Sequence, residues 1–441
     1  MNTLKTNLFF KIGTIIVIMV LLLIPTSMIR GLITEREETG KDAVTEVSAK
    51  WGEEQTLIGP YLSVPYTKYT KETSSKIGEE RIISSTEYLY FLPEDLSING
   101  DLIPEKRYRG IYEIVVYNSK IKLTGTFNGV SAEQLGIAAG DVHFDRAHLN
   151  IGIDDLRGIE KQVSLQWNGE ASYFNPGLVG SDIAVSGINA SVAVDSNGKN
   201  TCTFSFELEL KGSQLLYFTP VGKVTDINIS SKWADPGFNG AFLPDRHSVT
   251  PEGFSANWNI LHLNRNFPQS WKGSEYSVRK DAFGVDLLLP VDSYQKTYRS
   301  IHYAILFIAF TFLVFFFIEV MQRVFIHPIQ YLLVGLSLVV FYTLLLSISE
   351  FMKFNYAFIL SAAATILLIT LYVKAILRSL KLMFLISGIL LILYTFIFIV
   401  IQLQDMALLI GSIGIFFVLC LVMYFSRKID WYDIAHRKQE E

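Results

Sequence analysis

Hydrophobic and polar positions follow two patterns that change abruptly near residue 300. Before it, apolar and polar residues alternate over short stretches. After it, apolar residues run on for whole helices. Five such runs cover 303–320, 331–349, 356–373, 382–401 and 406–425, each of 18–20 residues. A sixth, 12–29 (IGTIIVIMVLLLIPTSMI), has 18 residues without a charge. A helix of that length is about 27 Å long, enough to span a bilayer core of about 30 Å. The pattern predicts six transmembrane helices. Lys5 and Lys11 precede the first run, as in a secretory signal, but no small-x-small cleavage site follows it. The first run therefore reads as an uncleaved anchor.

The long segment between the first and second runs reads as β-structure. Residues 111–117 (IYEIVVY) and 120–127 (KIKLTGTF) flank Asn118-Ser119, a hairpin signal. Residues 201–210 (TCTFSFELEL) alternate, with Cys202, Phe204, Phe206, Leu208 and Leu210 on one face. Further strands are expected at 224–230 and 285–289. Turn pairs such as Asn99-Gly100, Asn168-Gly169 and Asn239-Gly240 punctuate the segment. Residues 35–51 read as a helix that continues the anchor. The expected fold is an α+β membrane protein: six transmembrane helices, with a large extracytoplasmic β-rich, sandwich-like domain inserted between the first and second. FLP recurs at 91–93 and 242–244. It marks either two related β halves or a chance match of three residues.

Charge sharpens this division. Only 18% of the chain is charged, against about a quarter in soluble proteins. The deficit is local: 301–425 carry eight charged side chains. Residues 35–300 carry 26 basic against 35 acidic groups, so −9. That balance argues against nucleic acid, whose binding depends on neutralising phosphates. The expected boundaries are 1–34 for the N-terminal stub and first helix, 35–300 for the β region, 301–426 for five helices, and 427–441 for the tail. Lys and Arg favour the cytoplasmic flanks of spans. With the N-terminus inside, the inner flanks carry ten basic residues and the short outer loops only Lys353. Both termini are then cytoplasmic and 35–300 lie outside.

Chemistry is sparse. There is no H-E-x-x-H, C-x-x-C, P-loop, G-x-G-x-x-G or G-x-S-x-G. His143 and His148 bracket Asp145, but a metal needs three or four converging ligands. Cys202 and Cys420 fall in different predicted compartments. No catalytic residue, metal or cofactor is expected. The membrane runs supply the candidates. Glu319 stands four residues before Arg323, within helical i, i+4 reach, and Glu350 ends a run near Lys353. Ionisable groups in spans are functional candidates, though at span ends side chains also reach water. Trp233, Phe238, Phe242, Phe254, Trp258, Phe267 and Trp271 crowd one stretch, as a β core or as a groove for a lipid or peptide.

Three stretches carry a resemblance: 51–66 (WGEEQTLIGPYLSVPY), 233–271 (WADPGFNGAFLPDRHSVTPEGFSANWNILHLNRNFPQSW) and 303–350, with HPIQYLLVGLSLVVFYTLLLSISE. Together they closely resemble the bacterial inner-membrane CreD family, the cell envelope integrity proteins. The resemblance runs from IPTSMIRG at 24–31 to the sixth span. It implies a multi-pass inner-membrane protein with a large periplasmic domain and a part in envelope integrity and stress, and it carries over no catalytic residue. The expectation is a non-enzymatic protein acting through its periplasmic β domain. The alternative is a transporter or lipid-handling protein acting through the helix bundle. Expected partners are the lipid bilayer and, in the periplasm, other envelope proteins or a lipid or peptide ligand.

Overall fold

A computed structural model describes residues 8–73, 80–180, 182–195, 200–287, 293–322, 324–403 and 406–427. The chain divides into two compact units, Met1–Gly40 with Val291–Glu441, and Lys41–Pro290. Helix α1, Leu8–Trp51, begins in the first and ends in the second. It includes Pro25, which has no N–H to donate along the helix. Next to it, Thr26 returns its hydroxyl to the Leu22 carbonyl at 2.7 Å.

The rest of the first unit is helical. A short helix, α2 (Ser293–His302), precedes α3 (Ala304–Gln322), α4 (Pro328–Ser349), α5 (Phe354–Leu377), α6 (Leu380–Gln402) and α7 (Ala407–Ser426). Among the described residues six helices are long and apolar enough to cross a membrane, α1 and α3 to α7. Their ends follow local chemistry. Pro328 opens α4 just after His327, whose N–H donates to Gln330 Oε1. Arg378 closes α5 in the left-handed region, at φ 47°.

Small residues set the close approaches in the bundle. Gly335 on α4 faces Leu22 of α1 and Phe312 of α3, and a Cβ there would lie 2.2 Å from Leu22 Cδ1. Gly414 on α7 likewise receives the Phe396 ring of α6, whereas Gly411 has open space. Of residues 361–364, Ser361 and Ala362 are buried and the next two alanines are exposed.

The second unit is two sheets over one core. In the nine-stranded sheet the order is Pro236–Gly240, Phe283–Leu287, Leu215–Phe218, Gln55–Thr73, His148–Ile153, Gly187–Ser191 and Asn175–Pro176. Glu80–Phe91 and Ser270–Lys272 extend it beside Gln55–Thr73. In the eight-stranded sheet the order is Arg246–Thr250, Gly253–Leu261, Val224–Ser231, Asp95–Arg109, Tyr112–Phe127, Cys202–Ser213, Ser164–Trp167 and Glu170–Tyr173. Trp258 and Phe283, from opposite sheets, meet at 5.7 Å between ring centroids.

Each sheet is centred on a parallel pair, Gln55–Thr73 with Leu215–Phe218 and Asp95–Arg109 with Val224–Ser231. The chain therefore traces one path twice. It runs from the first sheet to the second, turns back along an antiparallel neighbour (Tyr112–Phe127, then Gly253–Leu261), and returns to the first sheet (His148–Ile153, then Phe283–Leu287). The two halves interleave in both sheets and share one core. The FLP echo does not mark this repeat: 91–93 lead into a central strand and 242–244 into the edge strand Arg246–Thr250.

One local expectation changes and one open choice is narrowed. Asn118-Ser119 is not a turn but the middle of Tyr112–Phe127, paired with Lys211 and Leu210, and Ser119 is buried with its hydroxyl on the Leu210 carbonyl at 2.7 Å. The hairpin turns at Gly110-Ile111 instead, where Gly110 supplies φ 60°. The aromatic stretch is core. Trp233, Phe254, Trp258, Phe267 and Trp271 are buried, and Phe238 and Phe242 pack against them half-buried. Of the two readings of this stretch, burial of five of its seven aromatic residues supports the core.

The end of α1 docks within this unit. Arg107 and Lys211 each lie over the Trp51 ring, 4.7 Å from its centroid, and its indole N–H donates to the Tyr117 carbonyl. Arg157 donates to the Ala49 carbonyl at 2.7 Å, a cation at a helix C-terminus. Asp155 holds that arginine and accepts the Glu53 N–H. Burial pushes its carboxyl pKa up, but the hydrogen bonds from Arg157 and the Glu53 and Arg157 N–H groups outweigh this and leave it below the ordinary value. Such a group contributes stability above its unfolded pKa of about 3.9, and that stability disappears as pH falls through the folded value. Asp155→Asn should lower the thermal midpoint at pH 7 and flatten its decline below about pH 4. An unchanged acid limb would contradict this role. Gly335→Leu should lower the midpoint without changing the acid limb, because its clash with Leu22 is apolar.

Candidate functional site

Glu319 lies on the last turn of α3 and is only 8% exposed. A carboxylate so buried must be paired. Its Oε2 accepts the Tyr331 hydroxyl of α4 at 2.9 Å, and its Oε1 accepts the Ile326 N–H from the α3–α4 connection at 3.2 Å. Its counter-charge is Lys11 of α1, whose Nζ forms an ion pair with Oε1. Lys11 also donates to the Ile326 carbonyl at 3.0 Å and stands 4.5 Å from the Phe325 ring centroid. Three chain segments therefore meet on one carboxylate. Arg323, the local partner that helical spacing offers, lies outside the described residues.

Glu350 caps the C-terminal end of α4. Its described partner is Arg36 of α1, with Nε 3.7 Å from Oε1, rather than the neighbouring Lys353. The two basic partners on α1 are 25 positions apart. At about 1.5 Å per residue that is roughly 38 Å, between the apolar thickness of a bilayer and its full thickness. The acidic candidates are thus fastening points for α1, one near each end of its apolar stretch. Between them, Ile18, Leu22, Ile29 and Ile33 of α1 are buried in the bundle core.

Sequence reasoning missed the partners. In the sequence Lys11 reads as a flanking charge, Arg36 as part of an outward helix, and Tyr331 as a residue of an apolar run. Glu319 and Lys11 are 308 positions apart, and nothing in local spacing links them. A third polar contact was also illegible. Lys296 of α2 donates to Gln402 of α6 at 3.3 Å, and Gln402 donates to Asn355 of α5 at 2.5 Å.

Elsewhere the candidate chemistry resolves into structure. His143 Nε2 lies 3.0 Å from Thr67 Oγ1, and His148 Nδ1 lies 3.0 Å from Asn189 Oδ1. Asp145 is exposed. No group of three or more His, Cys, Asp or Glu converges as a metal site among the described residues. Cys202 is buried, which pushes its thiol pKa up, and Cys420 is exposed on α7.

Among the described residues, six apolar helices, an ion-paired first helix and a two-sheet β unit inserted after it define a membrane protein of the α+β class. Residues 7–432 match the family described as Inner membrane protein CreD. The chain is 32% identical to the Inner membrane protein CreD of Escherichia coli (strain K12), over 99% of this chain and 96% of that relative. The chain belongs to the CreD family of inner membrane proteins.

Leaving one buried charge without its partner costs about 3–5 kcal/mol. Glu319→Gln and Lys11→Met should each sharply lower the thermal midpoint of the purified chain. Arg36 is half exposed, and exposed pairs contribute about 0–1 kcal/mol, so Glu350→Gln should change it little. Equal effects at the two acids would refute this ranking.

Proposed function

We propose that this protein is a non-enzymatic support of the cell envelope, acting through its β unit in the periplasm, with both termini in the cytoplasm. The observation that carries the reading is where the acidic groups of the helical runs, Glu319 and Glu350, and their basic partners go. Lys11, Arg36, Glu319 and Glu350 fasten α1 to its neighbours, so they are committed to anchoring rather than to lining a path. The excess of basic residues at one set of flanks supports the orientation. The family's inner-membrane character supports a role at the envelope. Partners are the bilayer and, in the periplasm, other envelope components. Transport or lipid handling through the bundle is the competing reading, and the same paired charges count against it.

Two measurements test this in the full chain. In a Cys420→Ser background, Val185→Cys on the exposed β surface should react with a membrane-impermeant thiol reagent in intact cells with a permeable outer membrane. Arg378→Cys, in the α5–α6 connection, should react only after lysis. The opposite pattern would invert the orientation. In a deletion strain sensitive to envelope stress, removing the bundle hydroxyls (Thr311→Val, Thr365→Val and Tyr394→Phe) should leave rescue intact. Loss of rescue in a stably folded chain would move the essential step into the bundle.

A further inference from the structure

Part of the outer face of the eight-stranded sheet is built from residues that strands ordinarily avoid. Asn and Asp are depleted in β-structure. Yet three adjacent strands carry Asn99 and Asp101, Asp226 and Asn228, and Asn257 and Asn259 on the face opposite the core. These strands are central in the sheet, not loop-like edges. Solvation alone would be met by Thr without the cost in propensity. Departures of this kind concentrate where function imposes them.

Five of the six form an ordered array. Register aligns Asn99, Asn228 and Asn257 in one row across the strands, and Asp226 with Asn259 in the next. Asn257 Nδ2 donates to Asn228 Oδ1 at 2.8 Å, and Asn228 Nδ2 donates to Asn99 Oδ1 at 3.3 Å and Asp226 Oδ1 at 2.8 Å. Asp226 Oδ2 also accepts from Asn257 and Asn259, each at 3.4 Å. These bonds fix the side-chain orientations. Each amide carbonyl has two lone pairs, so Asn99 and Asn228 retain acceptor capacity beyond the array.

An open depression of about 570 Å³ lies over this row, and Lys120 and Arg246 line it together with Asp101. A second depression shares Asn228, Arg246 and Asn257 and extends over Asp226, Asn259 and Asp245. The result is an elongated groove of ligand-binding size. Its charges nearly balance: three carboxylates against one ammonium and one guanidinium. An anion would meet the carboxylates, and a cation the Lys and Arg. What complements a dense, oriented, nearly neutral set of donors and acceptors is a neutral chain of hydroxyls, each both donor and acceptor.

We propose that this amide-lined groove binds a neutral glycan segment a few sugar units long. The proposal deepens the functional reading above and rests on it for its meaning in the cell. Binding is measured in vitro, so its failure would leave rescue of the deletion strain standing, and the reverse also holds. The purified full chain, in a zwitterionic detergent without a sugar headgroup, is titrated calorimetrically with chitotetraose and with maltotetraose. Saturable binding of at least one is expected. Asn228→Ala and Asn257→Ala should each weaken it at least tenfold with the circular dichroism unchanged. Asn228→Asp keeps the size but removes the amide donors, and it should weaken binding similarly if the alanine variant fails to fold. A heparin oligosaccharide should bind more weakly than the neutral chains. No saturable binding of either neutral chain up to about 10 mM, a range that would detect weak binding, would overturn the proposal. So would binding that neither substitution changes, or tighter binding of the sulfated chain.

Discussion

The Lys11–Glu319 ion pair is the constraint around which the membrane unit is organised. Taking an ammonium and a carboxylate out of water costs several kcal/mol for each ion, and their attraction offsets this only with good geometry and further hydrogen bonds. Those bonds are present: the Tyr331 hydroxyl and the Ile326 N–H on the carboxylate, and the Ile326 carbonyl on the ammonium. Four groups from α1, α3, α4 and the connection between them must be placed together for any one to be satisfied. Apolar contact between helices in lipid does not by itself select one register, because lipid tails are as apolar as leucine. The ion pair does, since a slip of α1 would strand both charges. Gly335 then admits Leu22 at the crossing, and the half-exposed Arg36–Glu350 pair adds a weaker fastening toward the other end.

The β unit solves a different problem. Its two interleaved halves place parallel pairs at the centre of each sheet, where both neighbours and the shared core hold them. Inward positions are filled by aromatic and branched residues. Outward positions are therefore free to carry chemistry, and on the strands around Asn228 they carry amides. Arg265 joins the loops of the two halves. Its guanidinium donates to the Val221 carbonyl and to Gln269, which in turn bonds the Pro93 carbonyl. Burial lowers its pKa to about 10, so the cation persists at neutral pH.

Much of this was legible in the sequence, where the signal is local. Apolar runs show the spans because every backbone group in a span is satisfied within its own helix. The alternation of Cys202, Phe204, Phe206, Leu208 and Leu210 shows a strand with one buried face, and those residues are buried. What failed was either ambiguous locally or set by distant partners. Asn118-Ser119 has turn composition, but strand pairing on both sides outweighs it. The aromatic cluster between Trp233 and Trp271 could serve a groove or a core, and only its partners in the opposite sheet decide. The repeated path leaves almost no trace in residue identity, since strand order is fixed by pairing. Glu319 was visible as an anomaly, an acid in an apolar run. Its partner, 308 positions away, was not.

The most direct test of the central ion pair is charge reversal in the purified full chain. Lys11→Glu and Glu319→Lys are measured singly and together for thermal midpoint and for proteolytic release of α1. Each single reversal should destabilise strongly, and the double exchange should recover a substantial part of the loss, which is a favourable coupling between the two positions. A double variant no more stable than its worse single parent would contradict the account, because the two charges would then act independently.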